Sequence, residues 1–228
     1  HEAWGSLARK LAHEIKNPLT PIQLTIDRLK NKYSKQLQDS EIDNFKDNLK
    51  VINNQIKQIE KLVNEFSDFA RMPKPIFREN NLVDIIQENI NLLKELDNSI
   101  DISFNNNFDK ISLKSDKEQI SRVFLNLIKN SIESINQKAQ NNNNFGKKIA
   151  IELTEDDSHI KAIIEDNGVG FSELKNNIKD ILNPYFTTKK NGTGLGLSIV
   201  NKIINDHNGK IDFIPIQNGA KINIMFLK

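Results

Sequence analysis

His13-Glu14-Ile15-Lys16-Asn17-Pro18 lies inside a run whose apolar residues recur at Trp4, Leu7, Leu11, Ile15, Leu19, Ile22, Ile26 and Leu29. Steps of three and four mark an amphipathic helix and predict one buried seam. His13 stands two residues from both Leu11 and Ile15, about 200° around the helix at roughly 100° per residue. It therefore points away from the seam, where a reactive partner can reach it. Asn17, one turn on, shares that face, and Glu14 is the immediate neighbour. Pro18 leaves the Glu14 carbonyl without its usual donor, and Pro21 does the same to Asn17, which predicts a bend beyond the histidine. Because the apolar steps continue to Leu29, the helix is expected to pass through both prolines.

A second run is stricter still. Ile42, Phe45, Leu49, Ile52, Ile56, Ile59, Val63, Phe66 and Ala70 form a heptad seam. Tyr33 to Ser40 is polar and supplies a loop, so the two runs read as a helical hairpin. A single hairpin leaves part of each seam uncovered. Two copies pairing into a four-helix bundle are the expected solution, which makes the chain a homodimer. Met72-Pro73-Lys74-Pro75 ends the pattern, dividing the chain into an all-α domain, 1–72, and a second domain, 73–228.

The chain has 228 residues, 37% hydrophobic and 27% charged, with a net charge of +2 and no cysteine. That composition excludes a mainly disordered protein, disulfides and thiolate metal sites. Lys and Arg form no single-sided stripe, so no nucleic-acid partner is expected. No apolar run approaches the roughly 20 residues that span a bilayer. The seam starts in mid-pattern almost at residue 1, so the expectation is a cytoplasmic fragment without membrane contact. Its missing N-terminal part has room for an inner-membrane anchor.

Beyond residue 73 the periods mix. Leu82–Leu96 reads as a helix, and Ile100–Phe104 and Ile111–Lys114 as strands. Asp116 is the N-cap, with Gln119 at the capping-box position, of a helix to about Gln137. Lys148–Thr154 and His159–Glu165 are strand-like, and Thr193–Asp206 is a helix stopped by Asn208-Gly209. Lys210–Ile214 and Ala220–Phe226 form a hairpin around Gln217-Asn218-Gly219. The order predicts an α+β sandwich, helices on one face of a mixed sheet.

Three motifs in this half carry chemistry. Gly192-Thr193-Gly194-Leu195-Gly196-Leu197 opens a helix, where glycines admit a phosphate and unpaired amides meet it. It imitates a dinucleotide fingerprint, but no strand immediately precedes it and the Gly-Lys-Ser/Thr of a P-loop is absent. Asp166-Asn167-Gly168-Val169-Gly170 ends a strand, either as a plain Asn-Gly turn or as a carboxylate placed to accept from an adenine amino group. Asn126 and Asn130, four apart beside Phe124, Leu125, Ile128 and Ile132, are either solvent-facing amides or the holders of a hydrated Mg²⁺ with its triphosphate. His1, His159 and His207 show no ligand clustering and read as terminal, strand and turn residues.

In order and spacing these motifs resemble those of the bacterial sensor histidine kinases. His13 to Leu19 is similar to the family's H box, Asn126 to Asn130 to its N box, and Asp166 to Gly170 and Gly192 to Leu197 to its two glycine boxes. Tyr185-Phe186-Thr187-Thr188-Lys189 resembles the aromatic box of the ATP lid, about residues 171–192. Ala12-His13 through Pro21-Ile22-Gln23-Leu24 is most similar to the nitrogen-regulation branch. The resemblance implies a dimeric phosphoacceptor hairpin joined to an ATP-binding sandwich of the gyrase–Hsp90 type. It implies that His13 is the nucleophile, that Glu14 orients it or takes its proton, and that Asn17 assists dephosphorylation of a response-regulator receiver domain.

The same resemblance implies ATP and Mg²⁺ as cofactors. Asn130 is then the metal ligand, and Asp166, Gly168 and Gly170 contact adenine. Asn126, Lys129, Phe186, Thr188, Lys189 and Gly192, Thr193, Gly194, Leu195, Gly196 and Leu197 complete the nucleotide site. The alternative is an ATPase clamp of the gyrase or Hsp90 kind. Those relatives place a glutamate base where this chain has Asn126, which cannot deprotonate water.

Overall fold

The computed structural model describes residues 2–142, 144–171, 178–182 and 194–228, arranged as two compact units. In the helical unit, α1 (Glu2–Tyr33) continues through Pro18 and Pro21, as the apolar steps require. The Thr25 hydroxyl donates to the Pro21 carbonyl at 2.8 Å, a back-bond of the kind that favours bending. A turn closed by the Leu37 amide on the Tyr33 carbonyl leads into α2 (Asp39–Arg71).

As expected of a lone hairpin, only part of each seam is covered. Ala12, Leu19 and Ile26 of α1, and Leu49, Ile56 and Val63 of α2, recur every seven residues and are buried within the hairpin. Leu19, Ile26, Leu49 and Ile56 form its core, with Phe45 packed against them. The other heptad positions, Ile15, Ile22 and Leu29 on α1 and Ile52 and Ile59 on α2, are 38–45% exposed. Leu7 and Leu11, also assigned to the seam, are exposed too. Two helices share one interface, which can cover only half of an a/d stripe. Trp4's side chain lies outside the described residues.

The second unit contains β1 (Arg78–Asn81), α3 (Leu82–Leu96), β2 (Asp101–Asn106), β3 (Ser112–Ser115), α4 (Lys117–Ala139), β4 (Lys148–Glu155), β5 (His159–Asp166), α5 (Gly196–Asp206), β6 (Lys210–Ile216) and β7 (Gly219–Leu227). Five strands form a sheet in the order β2-β4-β5-β7-β6, parallel at β2–β4 and antiparallel elsewhere. Among the described residues β1 pairs with β3 alone. Its Arg-Glu-Asn-Asn sequence has no apolar alternation, so the sequence offers no sign of it.

Period-two burial is strict in β4, β5 and β7. Ile149, Ile151, Leu153, Ile160, Ala162, Ile164, Ile222, Ile224 and Phe226 turn to one face, at most 5% exposed. α3, α4 and α5 pack side by side over it. Asp116 caps α4 through the Gln119 amide at 3.1 Å, and its other oxygen accepts from the Ile76 amide at 2.9 Å. His207, read as a turn residue, is instead buried at the end of α5. Its Nε2 accepts from the Asp116 amide at 3.0 Å and its Nδ1 donates to the Ile203 carbonyl at 2.7 Å, which fixes the neutral tautomer. α5 ends as Asn208-Gly209 predicts, with Asn208 at φ 55° and the Gly209 amide on the Ile204 carbonyl.

Candidate functional site

Asp166 closes β5, the central strand of the sheet, and is only 5% exposed. Burial raises its pKa above the ordinary carboxylate value. The Gly168 amide, the Ser131 hydroxyl, the Ala220 amide and Lys138 oppose the rise by favouring the charged form. The Gly168 amide bonds Oδ1 at 2.9 Å. Ser131 makes no hydrogen bond of good geometry but lies close enough to contribute.

The loop after Asp166 is clamped from two sides. Beneath it is α4, where a Cβ on Gly168 would come within 2.8 Å of the Ile135 nitrogen and collide with the Ser134 hydroxyl. The Val169 amide donates to Ser134 Oγ at 3.0 Å, and Lys138 Nζ donates to the carbonyls of Asn167 and Gly168 at 3.0 and 3.2 Å. Beside it is the β6–β7 turn, where Gly219, at φ 138°, touches the Asp166 carbonyl. Gly170, at φ 70°, touches Gly219 in turn. Only glycine fits these approaches.

Asn126, Asn130 and Ser134 follow at steps of four on α4, so the expected metal-binding amides share a stripe with the residue beneath Gly168. Asn126 and Asn130 are half-buried, at the rim of the core that Phe124 and Ile128 fill, and Lys129 is exposed. Sequence reasoning missed Ser131, Ser134 and Lys138. Their steps of three and four on the face of α4 that meets the β5 loop were the available signal. α5 begins at Gly196, three residues later than expected, after Gly194 at φ 71° and a fully buried Leu195. Leu197 is half-buried, and a Cβ on Gly196 would meet nothing within 4 Å. A helix N-terminus carries the positive end of the helix dipole, which favours an anion nearby. Phe186, Thr188, Lys189, Gly192 and Thr193 lie outside the described residues, as does most of the expected lid.

On the hairpin, His13, Glu14 and Asn17 are all exposed. His13 is not on a face remote from packing, however. It lines a groove between the helices, of about 120 Å³, together with Ala12 of α1 and Ser67 and Arg71 of α2. Among the described residues no group of three or more His, Asp or Glu converges on a metal-sized site, and no helix is long and apolar enough to cross a membrane.

Two parts of the chain match known families. Residues 3–75 match the His Kinase A (phospho-acceptor) domain, and residues 115–228 match the histidine kinase-, DNA gyrase B- and HSP90-like ATPases. A sensor histidine kinase NtrY-like protein of Rickettsia prowazekii is 38% identical over 98% of this chain and 36% of its own length. The nitrogen regulation protein NtrY of Azorhizobium caulinodans is 36% identical over 97% of this chain and 28% of its own. The chain thus spans about a third of the length of such relatives. A crystal structure of histidine kinase ThkA in complex with the response regulator protein TrrA superposes with a TM-score of 0.67 at 29% identity, covering all of this chain and 62% of that one. With a phosphoacceptor hairpin and a gyrase-like ATPase fold matched in one chain, this protein belongs to the sensor histidine kinase family, and its relatives include the NtrY-like nitrogen-regulation kinases.

Proposed function

We propose that the chain is the kinase core of a two-component sensor, in which His13 takes the γ-phosphoryl group of ATP and passes it to an aspartate of a response regulator. One observation carries the reading. The same chain holds an exposed histidine on a helical hairpin and a buried strand-end carboxylate enclosed by glycines.

Asp166 accepts the amino hydrogen bond of adenine, and the close-packed glycines at 168 and 170 keep side chains away from the ring. The amides of Gly194 to Leu197 meet the phosphates, with Lys129 and Lys189 as further cations. Asn130, beside Asn126, holds Mg²⁺. Their amide oxygens suit a hydrated cation, and the positive N-terminal end of α5 suits the phosphates that would arrive with it. Bound there, Mg²⁺ neutralises charge on the transferring group. Phosphoryl transfer depends on positioning and charge more than on covalent help, so Glu14 need only orient His13 and receive its proton. Asn17 orients water toward the regulator's phospho-aspartate.

The exposed heptad positions of both helices support a homodimer as the functional form. An amide at Asn126 cannot serve as a hydrolytic base, and this disfavours an ATPase clamp. Incubation with γ-labelled ATP and Mg²⁺ tests the reading. Acid-labile, alkali-stable label is expected on the parent. It should be absent from His13→Gln, which still binds nucleotide and dimerises. Label persisting in that variant removes His13 as acceptor.

A further inference from the structure

The groove beside His13 is bordered by more positive charge than the kinase roles above account for. On α1, Arg9, His13 and Lys16 follow at steps of four and three, so they share one stripe. α2 contributes Ser67, Asp68 and Arg71 from the other side. The groove exists because the helices carry small residues at this level. Gly5 and Ala12 stand at the heptad positions that Leu19 and Ile26 fill further along, Ala8 is buried between them, and Ser67, 6% exposed, lines the groove with Ala12. A Cβ on Gly5 would lie 3.1 Å from the Ala70 carbonyl oxygen.

Three cations thus meet a single carboxylate. That carboxylate holds Arg71 loosely, with the guanidinium 3.6 Å from Asp68 and Nε 3.4 Å from the Ser67 carbonyl. Charge-assisted bonds of full strength run at roughly 2.7–2.9 Å, so Arg71 retains donors to offer. Cations collected around a groove repel one another unless an anion enters.

We propose that Arg9, Lys16 and Arg71 form a seat for the phosphoryl group carried by His13, and that Arg71 exchanges its contact with Asp68 for phosphoryl oxygens. The inference rests on His13 being the phosphoacceptor. In the transfer, a lone pair on an imidazole nitrogen of His13 forms the N–P bond. The γ-phosphorus separates from the oxygen bridging it to the β-phosphate, and that electron pair leaves with ADP. The imidazole proton passes to Glu14 or water. The seat then acts on the product, drawing the dianionic group over the groove, raising the fraction of phosphorylated chain at equilibrium and slowing its loss to water.

An equilibrium measurement separates this role from a catalytic or structural one, since a residue that only assists transfer changes the approach to the plateau and not the plateau. The 228-residue chain is equilibrated with Mg²⁺ and fixed ATP:ADP ratios, and label on His13 is measured. Nucleotide is then removed and the decay followed. Because the seat is open to solvent, Arg71→Ala should lower the plateau ratio about three- to fivefold and shorten the lifetime of the phosphohistidine. Arg9→Gln should act in the same direction, Arg71→Lys should recover part of the loss, and the differences should shrink in high salt. Unchanged plateaus and lifetimes in Arg71→Ala and Arg9→Gln, with His13 labelled in the parent, overturn the seat alone. A parent that takes no label on His13 overturns the phosphoacceptor reading, and the seat with it.

Discussion

The hairpin and the α/β unit use the same apolar residue types and reach opposite ends. In the α/β unit Phe124, Leu127 and Phe226 are fully buried, because three helices cover one whole face of the sheet. In the hairpin Ile22, Ile52 and Ile59 keep 44, 45 and 42% of their surface exposed. Contiguous exposed apolar stripes mark a binding face rather than a tolerated surface. One unit completes its own core, whereas the other has a core only as wide as two helices can enclose. The difference is geometric: a sheet face can be roofed by its own chain, and an a/d seam needs facing helices on both sides.

The strongest way to break this comparison is a truncation in the self-sufficient core. Phe124→Ala should cost about 3–5 kcal/mol, a large part of the roughly 5–15 kcal/mol that holds a domain folded. Denaturant unfolding of the α/β unit measures it, and a loss under 1 kcal/mol would show that this core is not closed by its own chain. The next effect falls on the hairpin. Ile52→Glu combined with Ile59→Glu should convert a dimer to monomers in sedimentation while helix content persists, because neither residue is buried within one hairpin. Loss of helix instead would mean that the exposed stripe supports the hairpin itself.

The smallest effect sharpens the comparison at the site. Burial raises the pKa of Asp166, so its carboxyl favours the folded state most below the unfolded value near pH 4, and that contribution is lost as pH rises through the raised value. Asp166→Asn has no charge to bury. Its unfolding midpoint should lose this part of the pH dependence and lie at or above the parent's at neutral pH, while ATP binding weakens. A midpoint that falls at neutral pH would mean that the carboxylate stabilises the fold as well as the ligand.

Local signals in the sequence were sufficient where one stretch decides its own structure. The steps through Leu29 carried α1 past two prolines, Asp116 capped α4, and Asn208-Gly209 closed α5. The failures all involve a distant partner. Arg78–Asn81 is a strand only because Ser112–Ser115 lies beside it. His207 looks like a turn residue until the Asp116 amide, far back in the chain, is seen to need an acceptor. Periodicity placed the hairpin's apolar residues on one stripe but could not divide them between the partner helix and a second interface. At the site, the glycine boxes announced themselves by composition. Lys138 and Ser134 did not, because lysine and serine on a helix are ordinary until the β5 loop is laid across them.

The place of β7 in the sheet has a consequence for how the unit comes to exist. It lies between β5 and β6, although it follows both in the chain. At synthesis rates of roughly 5–20 residues per second, β5 waits on the order of 3–10 s with one edge unpaired. Through that interval Ile160, Ala162 and Ile164 belong to a half-sheet whose open edge invites pairing with other chains. Asp166 meanwhile has neither the Ala220 amide nor the Gly219 turn beside it. The proposed adenine contact is therefore assembled last, and a nascent chain that binds nucleotide has already closed its sheet.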